Sequence, residues 1–483
     1  MNGIYDKKTK ISNEHIIVQT DVESKDGQEK CPKCGATDIS TNVNNGKLRC
    51  NFCRYEFEPI KITGMVEDVS KLQGEIIGSG AQNIIEDTND VLTFKCSSCG
   101  AEVVIDTAFS TQARCHWCRN TLSVNQQIPN GAIPDVVLPF NVSKEIAKGK
   151  IESFVAKRKF FAHPNFKKEF NINNIMGVYF PYMLVDINAH VKLVGEGEHQ
   201  TRRYYKGSGD NKRTYYDADL YHVERDFDLA INGLSIESSS DKLNNSVLSD
   251  KTNNIINSIM PFDVENCAKY NSNYIKGYTS ERRDVNIEQL KDIVEVQSKD
   301  IARYSANDSL GNYDRGVAWS QEKIDINGQQ WKAAYLPVWL YSYQEQKGSK
   351  NKLHYVAVNG RTKETMGSVP IHMPKLLGVS TLVELLGIML FMFVDWDYSI
   401  LFLLSGFIFY IMMFIKYRNS NARHTYETDT KRQITNLKKI DNFIKSKKGL
   451  SNSKMVGANN KEINGQSIGE SLINNIVDSI GID

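Results

Sequence analysis

The 483-residue chain has almost no excess of charge of either sign, and residues 1–30 contain no long apolar stretch. Lys and Arg number 59 and Asp and Glu 57, so the formal net charge is +2. Proteins that hold nucleic acid through their overall field carry a clear positive excess, which this chain lacks. The polar beginning predicts that there is no signal peptide. Composition therefore favours neither a secreted protein nor a strongly basic nucleic-acid-binding one.

Motifs of ATP-dependent and hydrolytic enzymes are also missing. The glycine run at residues 78–80 lacks the Lys-Ser/Thr pair of a phosphate-binding loop, and no G-x4-G-K-[ST] occurs elsewhere. The nine histidines are scattered, and neither His163 nor His199 belongs to a Ser/His/Asp, HExxH or paired-carboxylate pattern. We therefore predict a protein that is not an enzyme, with no catalytic residues.

Cysteine is scarce, but eight of the nine cysteines form a repeated pattern. Two segments read C-x2-C-x15-C-x2-C, a spacing that predicts a zinc ion held by four thiolates. Disulfides or a redox-active CxxC are the alternatives, and the repetition favours two structural zinc ions in a reducing cytoplasm. The predicted ligands are Cys31, Cys34, Cys50 and Cys53 for the first ion and Cys96, Cys99, Cys115 and Cys118 for the second.

Residues near the cysteines recur with them. Gly35 follows a CxxC pair and recurs as Gly100, where the backbone often needs a positive φ. Phe52 recurs as Trp117, and both are expected at the tips of the zinc knuckles. His116 lies within the last CxxC pair, where we expect an exposed side chain rather than a zinc ligand.

A second internal duplication follows the cysteine segments. Residues 138–142 (LPFNV) recur as 260–264 (MPFDV), and residues 179–184 (YFPYML) recur as 335–340 (YLPVWL). Helical patterns lie between the two motifs of each half, at 143–161 and 286–304, and alternating strand patterns follow. An α+β fold is therefore predicted, in which two diverged copies with antiparallel sheets pack as one domain.

Two long apolar runs lie near the C-terminal end. Residues 376–394 are interrupted by Glu384, residues 398–417 end with Lys416, and an acidic Asp-Trp-Asp turn separates them. Each run is long enough to cross a hydrocarbon core of ~30 Å. Because Lys375, Lys416 and the arginines beyond it flank only the outer ends, the runs predict a transmembrane hairpin with both termini cytoplasmic. The alternative is a buried helical pair in a soluble protein.

Glu384 falls near the middle of the first run, where an unpaired carboxylate is costly. It marks either a polar partner or oligomer contact in the bilayer, or a helix that begins later in the chain. Beyond the runs, Ile434, Leu437, Ile440 and Ile444 recur at helical spacing in a segment rich in Lys and Arg. This pattern predicts a basic amphipathic helix, lying either on anionic headgroups or in solvent.

These patterns divide the chain into ten segments. They are a polar lead-in with one short strand (1–29), zinc ribbon 1 (30–60), a connector (61–90), zinc ribbon 2 (91–125), α+β repeat 1 (126–235), a Ser/Asn-rich insertion (236–257), α+β repeat 2 (258–372), transmembrane helices 1 (376–394) and 2 (398–417), and a basic amphipathic cytoplasmic tail (418–483).

The ribbons, the repeated P-x-x-L motifs and the late apolar hairpin together resemble a bacterial family, the TFIIB-type zinc-ribbon-containing membrane proteins. Residues 128–135 (IPNGAIPD) and 179–182 (YFPY) are especially similar to it. The family has no established activity to carry over. The ribbons are also similar to the zinc module of the primosomal replication-restart helicase, but the helicase core is missing. By analogy of architecture, the resemblance implies an anchor that recruits a cytosolic protein, as in envelope stress.

Two functions follow as expectations. The first is a multi-pass protein of the cell membrane that acts as a non-enzymatic scaffold for a protein partner of unknown identity. The alternative is a membrane-tethered nucleic-acid binder that uses its TFIIB-like ribbons. The ribbons contain few basic residues, with acids such as Glu56, Glu58 and Glu102 nearby, whereas phosphate binding needs a concentrated basic face. The scaffold is therefore favoured, and oligomerisation is left open.

Overall fold

The computed structural model describes the greater part of the chain. It covers residues 16–18, 31–59, 66–82, 91–95, 102–106, 115–116, 127–128, 134–207, 212–239, 257–347, 350–391, 402, 404–417, 426–451 and 454–455, apart from 37, 43–46, 271–273, 276 and 282. The Ser/Asn-rich insertion and the last part of the tail fall almost entirely outside the described residues.

Strands dominate the described part. In chain order they are β1 (Ile16–Val18), β2 (Ile39–Thr41), β3 (Leu48–Cys50), β4 (Glu56–Phe57), β5 (Gly74–Gly78), β6 (Val91–Lys95), β7 (Glu102–Asp106), β8 (Gln127–Ile128), β9 (Val136–Val137), β10 (Met176–Lys206), β11 (Arg213–Glu237), β12 (Ala268–Lys269), β13 (Thr279–Glu281), β14 (Val317–Lys347), β15 (Lys350–Asn359), β16 (Thr365–Gly367) and β17 (Lys431–Leu450). The helices are α1 (Lys144–Ala156), α2 (Pro164–Glu169), α3 (Ile287–Ala306), α4 (Met373–Phe391), α5 (Ser405–Tyr417) and α6 (Tyr426–Asp429).

One 14-stranded sheet organises the molecule, and β2, β3 and β4 form a separate small sheet. At the centre of the large sheet, the long strands β10 and β14 run antiparallel. β11 pairs with β10, and β17 pairs with β11, so the order across this part is β17-β11-β10-β14. We call these four strands the arm. Strand β10 alone has 31 residues, which corresponds to a contour length of about 100 Å. The predicted α+β class is confirmed.

The repeated motifs meet at the core of the sheet. Phe180 of the first copy pairs with Leu336 of the second, and Pro181 pairs with Tyr335. Phe180 and Leu336 also enter the same buried apolar cluster. Pairing of the two motifs explains why both are apolar on successive residues, since both faces of these strands are covered. The duplication itself stays a prediction.

Several local predictions are confirmed. β1 occupies the short strand expected in the lead-in. Helix α1 begins after Ser143, whose hydroxyl accepts a hydrogen bond from the backbone N–H of Ile146. Helix α3 begins after Asn286, whose backbone N–H donates to the side-chain oxygen of Gln289 at 2.9 Å. Both helices thus begin at the start of the predicted ranges 143–161 and 286–304.

The basic amphipathic helix predicted in the tail is wrong over residues 431–450. These residues form β17, an outer strand that pairs with β11 along its length. The register shifts where Asn436 takes a positive φ of 56° and again near Ile444. Each irregularity adds a residue to β17 relative to β11 and interrupts the two-residue alternation typical of a strand. Without that alternation, the spacing of the apolar residues by three or four resembles a helix in the sequence.

The connector predicted for residues 61–90 contains a strand that the sequence did not indicate. β5 pairs parallel to β14, and the turn after β5 closes over the buried carboxylate of Asp135. One carboxylate oxygen accepts from the N–H of Gly80, and the other accepts from the N–H of Ala333, each at 2.7 Å. A Cβ atom at Gly78 would lie 2.4 Å from this carboxylate. The glycine run therefore makes room for a structural acid.

The two apolar runs differ in the structure. The first forms α4, which is long and apolar enough to cross a membrane. The described part of the second forms α5, whose 13 residues extend about 20 Å and are short of the ~30 Å core. Residue 404 lies in a turn directly before α5, while residues 392–401 lie outside the described part. The described residues therefore contain one candidate span, and a two-span hairpin stays a prediction.

Candidate metal centre and associated surfaces

Four thiols converge beside the small sheet. The sulfur atoms of Cys31, Cys34, Cys50 and Cys53 all lie within 4.8 Å of one another. The distance is 3.6 Å between the sulfurs of Cys31 and Cys53 and 3.5 Å between those of Cys34 and Cys50. A tetrahedral zinc ion with Zn–S bonds of about 2.3 Å holds its sulfurs roughly 3.8 Å apart. The first predicted ligand set is therefore assembled in a geometry that could bind one metal ion.

The two knuckles of this cluster have the same backbone structure. In the first, the N–H of Gly35 donates to the carbonyl of Cys31, and in the second the N–H of Arg54 donates to the carbonyl of Cys50. Both donors have a positive φ, 72° at Gly35 and 63° at Arg54. The backbone requirement predicted for Gly35 is confirmed. At Arg54 the same conformation is adopted by a residue with a Cβ atom, at a cost of about 1–2 kcal/mol.

The first knuckle favours the charged form of one of its two cysteines. Desolvation opposes ionisation of Cys31, but the backbone N–H groups of Cys34 and Lys33, together with the neighbouring thiols, lower the pKa of Cys31 to about 7. The backbone N–H of Ala36 favours ionisation of Cys34, but desolvation and the neighbouring thiols raise the pKa of Cys34 to about 12, so one thiol of the knuckle ionises in preference to the other. The thiolate is the form of cysteine that binds zinc. The donor set and its backbone thus suit a thiophilic divalent ion.

An exposed aromatic surface lies beside the cluster. Phe52, between the cysteines of the second knuckle, is 81% exposed, and Tyr55 is 42% exposed. The ammonium of Lys33 lies 5.7 Å from the centre of the Tyr55 ring. We call Lys33, Phe52 and Tyr55 the ribbon patch. An apolar ring this exposed contributes nothing to covering the thiols, so packing within the ribbon does not account for it.

The second predicted metal site is described only in part. Cys96, Cys99, Cys118 and Trp117 lie outside the described residues. Cys115 is buried in the apolar cluster that also contains Phe180. The expectation of an exposed His116 is wrong, since it is 1% exposed and its ring lies edge-on to Phe180 at 5.9 Å. Cys115 and His116 therefore pack against the large sheet rather than projecting into solvent.

The two apolar helices pack through small residues and one acid. Glu384 of α4 accepts a hydrogen bond from the backbone N–H of Gly406 at the start of α5, with an O–N distance of 2.6 Å. A Cβ atom at Gly406 would lie 2.3 Å from the carbonyl oxygen of Ser380. On the opposite side both helices are apolar and exposed, as at Leu385 (63%) and Phe407 (60%). The partner of Glu384 is thus a helix N-terminus in the same chain.

The far end of the arm is a basic and aromatic hairpin. Tyr204 of β10 and Tyr215 of β11 stack with ring centres 6.1 Å apart, and Lys206 lies 5.6 and 5.4 Å from these rings. On the other face, Lys212 lies 4.6 Å from the ring of Tyr205. We call this end of β10 and β11 the arm tip. This hairpin was not predicted as a site, although residues 202–206 (RRYYK) and 212–216 (KRTYY) are a visible signal in the sequence.

Buried charges fix β17 to the arm. The guanidinium of Arg225, which is 1% exposed, contacts the carboxylate of Asp441 at 2.8 Å. The hydroxyl of Tyr313 donates to the same carboxylate at 2.8 Å. Nearer the arm tip, the buried Glu198 is paired with Arg315 at 3.0 Å and with Lys447 at 2.7 Å. The segment after the apolar helices is therefore bound by specific ionic contacts as well as by its strand pairing.

Comparisons with known proteins find a similar protein, but they assign no activity to this chain. No family model matches the chain. The chain is 23% identical over 342 residues to the "Uncharacterized protein YdjG" of Bacillus subtilis (strain 168), covering 71% of this chain and 89% of that protein. No solved structure matches. The printed name of this relative states no activity.

Proposed function

We propose that the protein is a membrane-anchored, zinc-containing scaffold that holds a protein partner at the ribbon patch and has no catalytic activity. The exposure of Phe52 carries this proposal. Contact energy in protein interfaces is concentrated in a few aromatic and arginine anchors. An 81% exposed ring on a rigid knuckle, with Tyr55 beside it and Lys33 over the Tyr55 ring, has the composition of such an anchor.

Zinc is a structural component of this proposal. The first ion is held by Cys31, Cys34, Cys50 and Cys53, and the second by Cys96, Cys99, Cys115 and Cys118. In each set all four positions are sulfur, which leaves no open position for a water or substrate. The metal would lock the knuckle that carries Phe52, and it would take no part in a reaction.

The anchor is the pair of apolar runs. The exposed apolar surfaces of α4 and α5 support insertion into a bilayer, because exposure of this extent is unusual in contact with water. The positive residues outside both runs support cytoplasmic termini and a multi-pass protein of the cell membrane. The family resemblance and the analogy with anchors for envelope-stress proteins agree with this arrangement and remain part of the proposal.

Photocrosslinking in living cells tests the scaffold. A photoreactive amino acid replaces Lys33 in the full-length chain, and the same residue replaces the exposed Ile326 on β14 as a control. We expect a discrete protein adduct from position 33 that is lost when Phe52→Ala is added. Adducts that persist in the Phe52→Ala background, or that arise equally from position 326, would contradict a partner site at the ribbon patch.

A second candidate function is supported by the arm tip. Tyrosines that stack next to Arg and Lys match the side chains that hold single-stranded nucleic acid through base stacking and phosphate contacts. This favours the membrane-tethered nucleic-acid binder with a different site from the predicted one, at the arm tip instead of the ribbons. Full-length protein in neutral detergent should then bind single-stranded RNA or DNA with a steep salt dependence. Arg202→Gln with Lys206→Gln should weaken that binding, whereas Phe52→Ala should leave it unchanged.

A further inference from the structure

A loop of the large domain lies against both outer ends of the apolar helices. It joins α1 to α2 and contains Arg158, Phe160 and Phe161. The guanidinium of Arg158 donates to the carbonyl of Lys416 at the end of α5, at 2.6 Å. The ammonium of Lys375, in the first turn of α4, donates to the carbonyl of Phe160 at 2.9 Å. The loop is therefore fixed to both helices at the level where each would leave a membrane.

The loop reaches along the helices as well as across their ends. The ring of Phe161 contacts Tyr417, the last residue of α5, and also Phe409, with ring centres 6.0 and 6.2 Å apart. Phe409 precedes Tyr417 by eight residues, which is about 12 Å along a helix. Phe161 thus lies alongside the last turns of α5, and its ring lies edge-on to that of Phe160, with ring centres 4.7 Å apart.

Phe160 is exposed, and basic residues surround it. Its side chain is 60% exposed, with the ammonium of Lys375 3.7 Å from the ring centre. Residues 157–169 contain five Lys or Arg and one acid, Glu169. Four exposed lysines of this segment have no carboxylate at ion-pair distance among the described residues. They are Lys157, Lys159, Lys167 and Lys168. We call them, together with Phe160, the collar.

We propose that the collar is a docking surface for the anionic phospholipid headgroups of the leaflet that the outer ends of α4 and α5 enter. This inference rests on the proposed insertion of the apolar runs. An aromatic ring flanked by lysines matches the interface of a bilayer, where the ring enters the headgroup boundary and the ammonium groups contact phosphates. The charge favours an anionic headgroup over a zwitterionic one, because the four ammonium groups have no carboxylate partner among the described residues, and Lys167 contacts only the carbonyl of Phe160.

The position of the collar favours contact with a membrane over binding of a soluble polyanion. The hydrogen bonds from Arg158 and Lys375 leave Phe160 beside the first turn of α4, and Leu377 of the same helix is exposed. A soluble acidic partner would have to approach past the bilayer at this level. The collar would also orient the domain, because lipid contacts on one side of the helices resist tilting of the arm toward the membrane.

Two measurements on the full-length chain in bilayers test the collar. The first uses electron paramagnetic resonance of spin-labelled phosphatidylglycerol and phosphatidylcholine in proteoliposomes. We expect a preference for phosphatidylglycerol that falls by at least about fivefold when the four collar lysines become glutamine, which is the factor that a single lysine contributes near a charged surface. The control replaces four arm lysines, Lys438, Lys439, Lys445 and Lys448, by glutamine and should keep the preference.

The second measurement places a fluorophore at the tip of the loop. Phe160→Trp should add emission that brominated lipids quench most strongly when the bromine is close to the headgroup. Ile146→Trp, at an exposed position on α1, should add emission that is not quenched. Stable insertion without a lysine-dependent lipid preference, or without quenching at position 160, would overturn the collar and leave the scaffold intact. Release of the wild-type chain by alkaline carbonate would instead overturn the membrane anchor, and the collar with it.

Discussion

The carboxylate of Glu384 lies 2.6 Å from the backbone nitrogen of Gly406, so an acid in one apolar helix caps the beginning of the other. The first N–H groups of a helix have no partner within the helix. In a bilayer no water would replace such a partner, and an acid at this position satisfies one of these groups. The costly carboxylate in the first run therefore has a structural explanation within the chain.

Replacing Glu384 should loosen the helix pair. We expect Glu384→Ala to destabilise it by about 1–2 kcal/mol, the usual cost of losing an N-cap acceptor. Glu384→Gln should recover most of this loss, because its amide oxygen can accept the same hydrogen bond. Thermal unfolding of the protein in detergent measures the difference. Equal stability of the alanine variant and the wild type would show that the contact with Gly406 does not stabilise the helix pair.

Crowding the contact between the helices should have a larger effect. A Cβ atom at Gly387 would lie 2.1 Å from the hydroxyl oxygen of Ser405, whereas Gly378 of the same helix has open space around it. Gly387→Val should therefore separate α4 from α5, and Gly378→Val should be tolerated. Cysteine crosslinking between the two helices would report the separation. The prediction fails if both valine variants crosslink as efficiently as the parent chain.

Metal content should follow the eight repeated cysteines. Elemental analysis of the purified chain should give two zinc ions, and Cys50→Ser or Cys115→Ser should each remove one. Cys267→Ser is the matched control, since Cys267 lies outside both patterns and desolvation raises the pKa of its thiol to about 12. One zinc ion in the wild-type chain, or an iron–sulfur chromophore, would refute the duplicated site.

The topology is accessible to thiol labelling in whole cells. A cysteine introduced at Trp396, in the acidic turn between the apolar runs, should react with a membrane-impermeant reagent. A cysteine at Ser420, beyond the second run, should stay unlabelled until the cells are opened. Labelling in the reverse order would invert the predicted orientation, and labelling of both would exclude a hairpin.

Breaking the buried ion pair of the arm should release β17. Asp441→Asn leaves the guanidinium of Arg225 without its charge partner. Because the side chain of Asp441 is 37% exposed, we expect a loss of about 1–2 kcal/mol rather than the 3–5 kcal/mol of a fully buried pair. Faster hydrogen exchange at the amides of β17 would register this change. Lys438→Gln, which removes an exposed and longer contact to Asp226, should leave the exchange unchanged.

The sequence predicted features that depend on local chemistry. The first cysteine cluster, the positive φ of Gly35 and the helices that begin after Ser143 and Asn286 follow from spacing, from single residue types or from apolar periodicity, and the structure contains each of them. Three of the four ligands of the second cluster lie outside the described residues, and that site stays a prediction.

The features that the sequence failed to predict depend on distant partners. β17 is a strand because it pairs with the edge of β11 and because Asp441 within it pairs with Arg225. Neither partner can be recognised from the sequence of the tail alone. His116 is buried because the large sheet covers it. Phe160 resembles an ordinary loop residue until the ends of α4 and α5 are placed beside it. All three features were missed because they depend on contacts between residues that are far apart in the chain.

The strand that completes the arm is made last. Lys431 pairs with Asn232, and both apolar helices lie between them in the chain. During synthesis, β11 therefore has an open edge, and Arg225 lacks Asp441, until the ribosome has passed α4 and α5. Unpaired edges invite association with other chains, so the chain is exposed to such association during this interval. Closure of the arm consequently follows the synthesis of both apolar helices, and a chain truncated before α4 would keep the edge of β11 open.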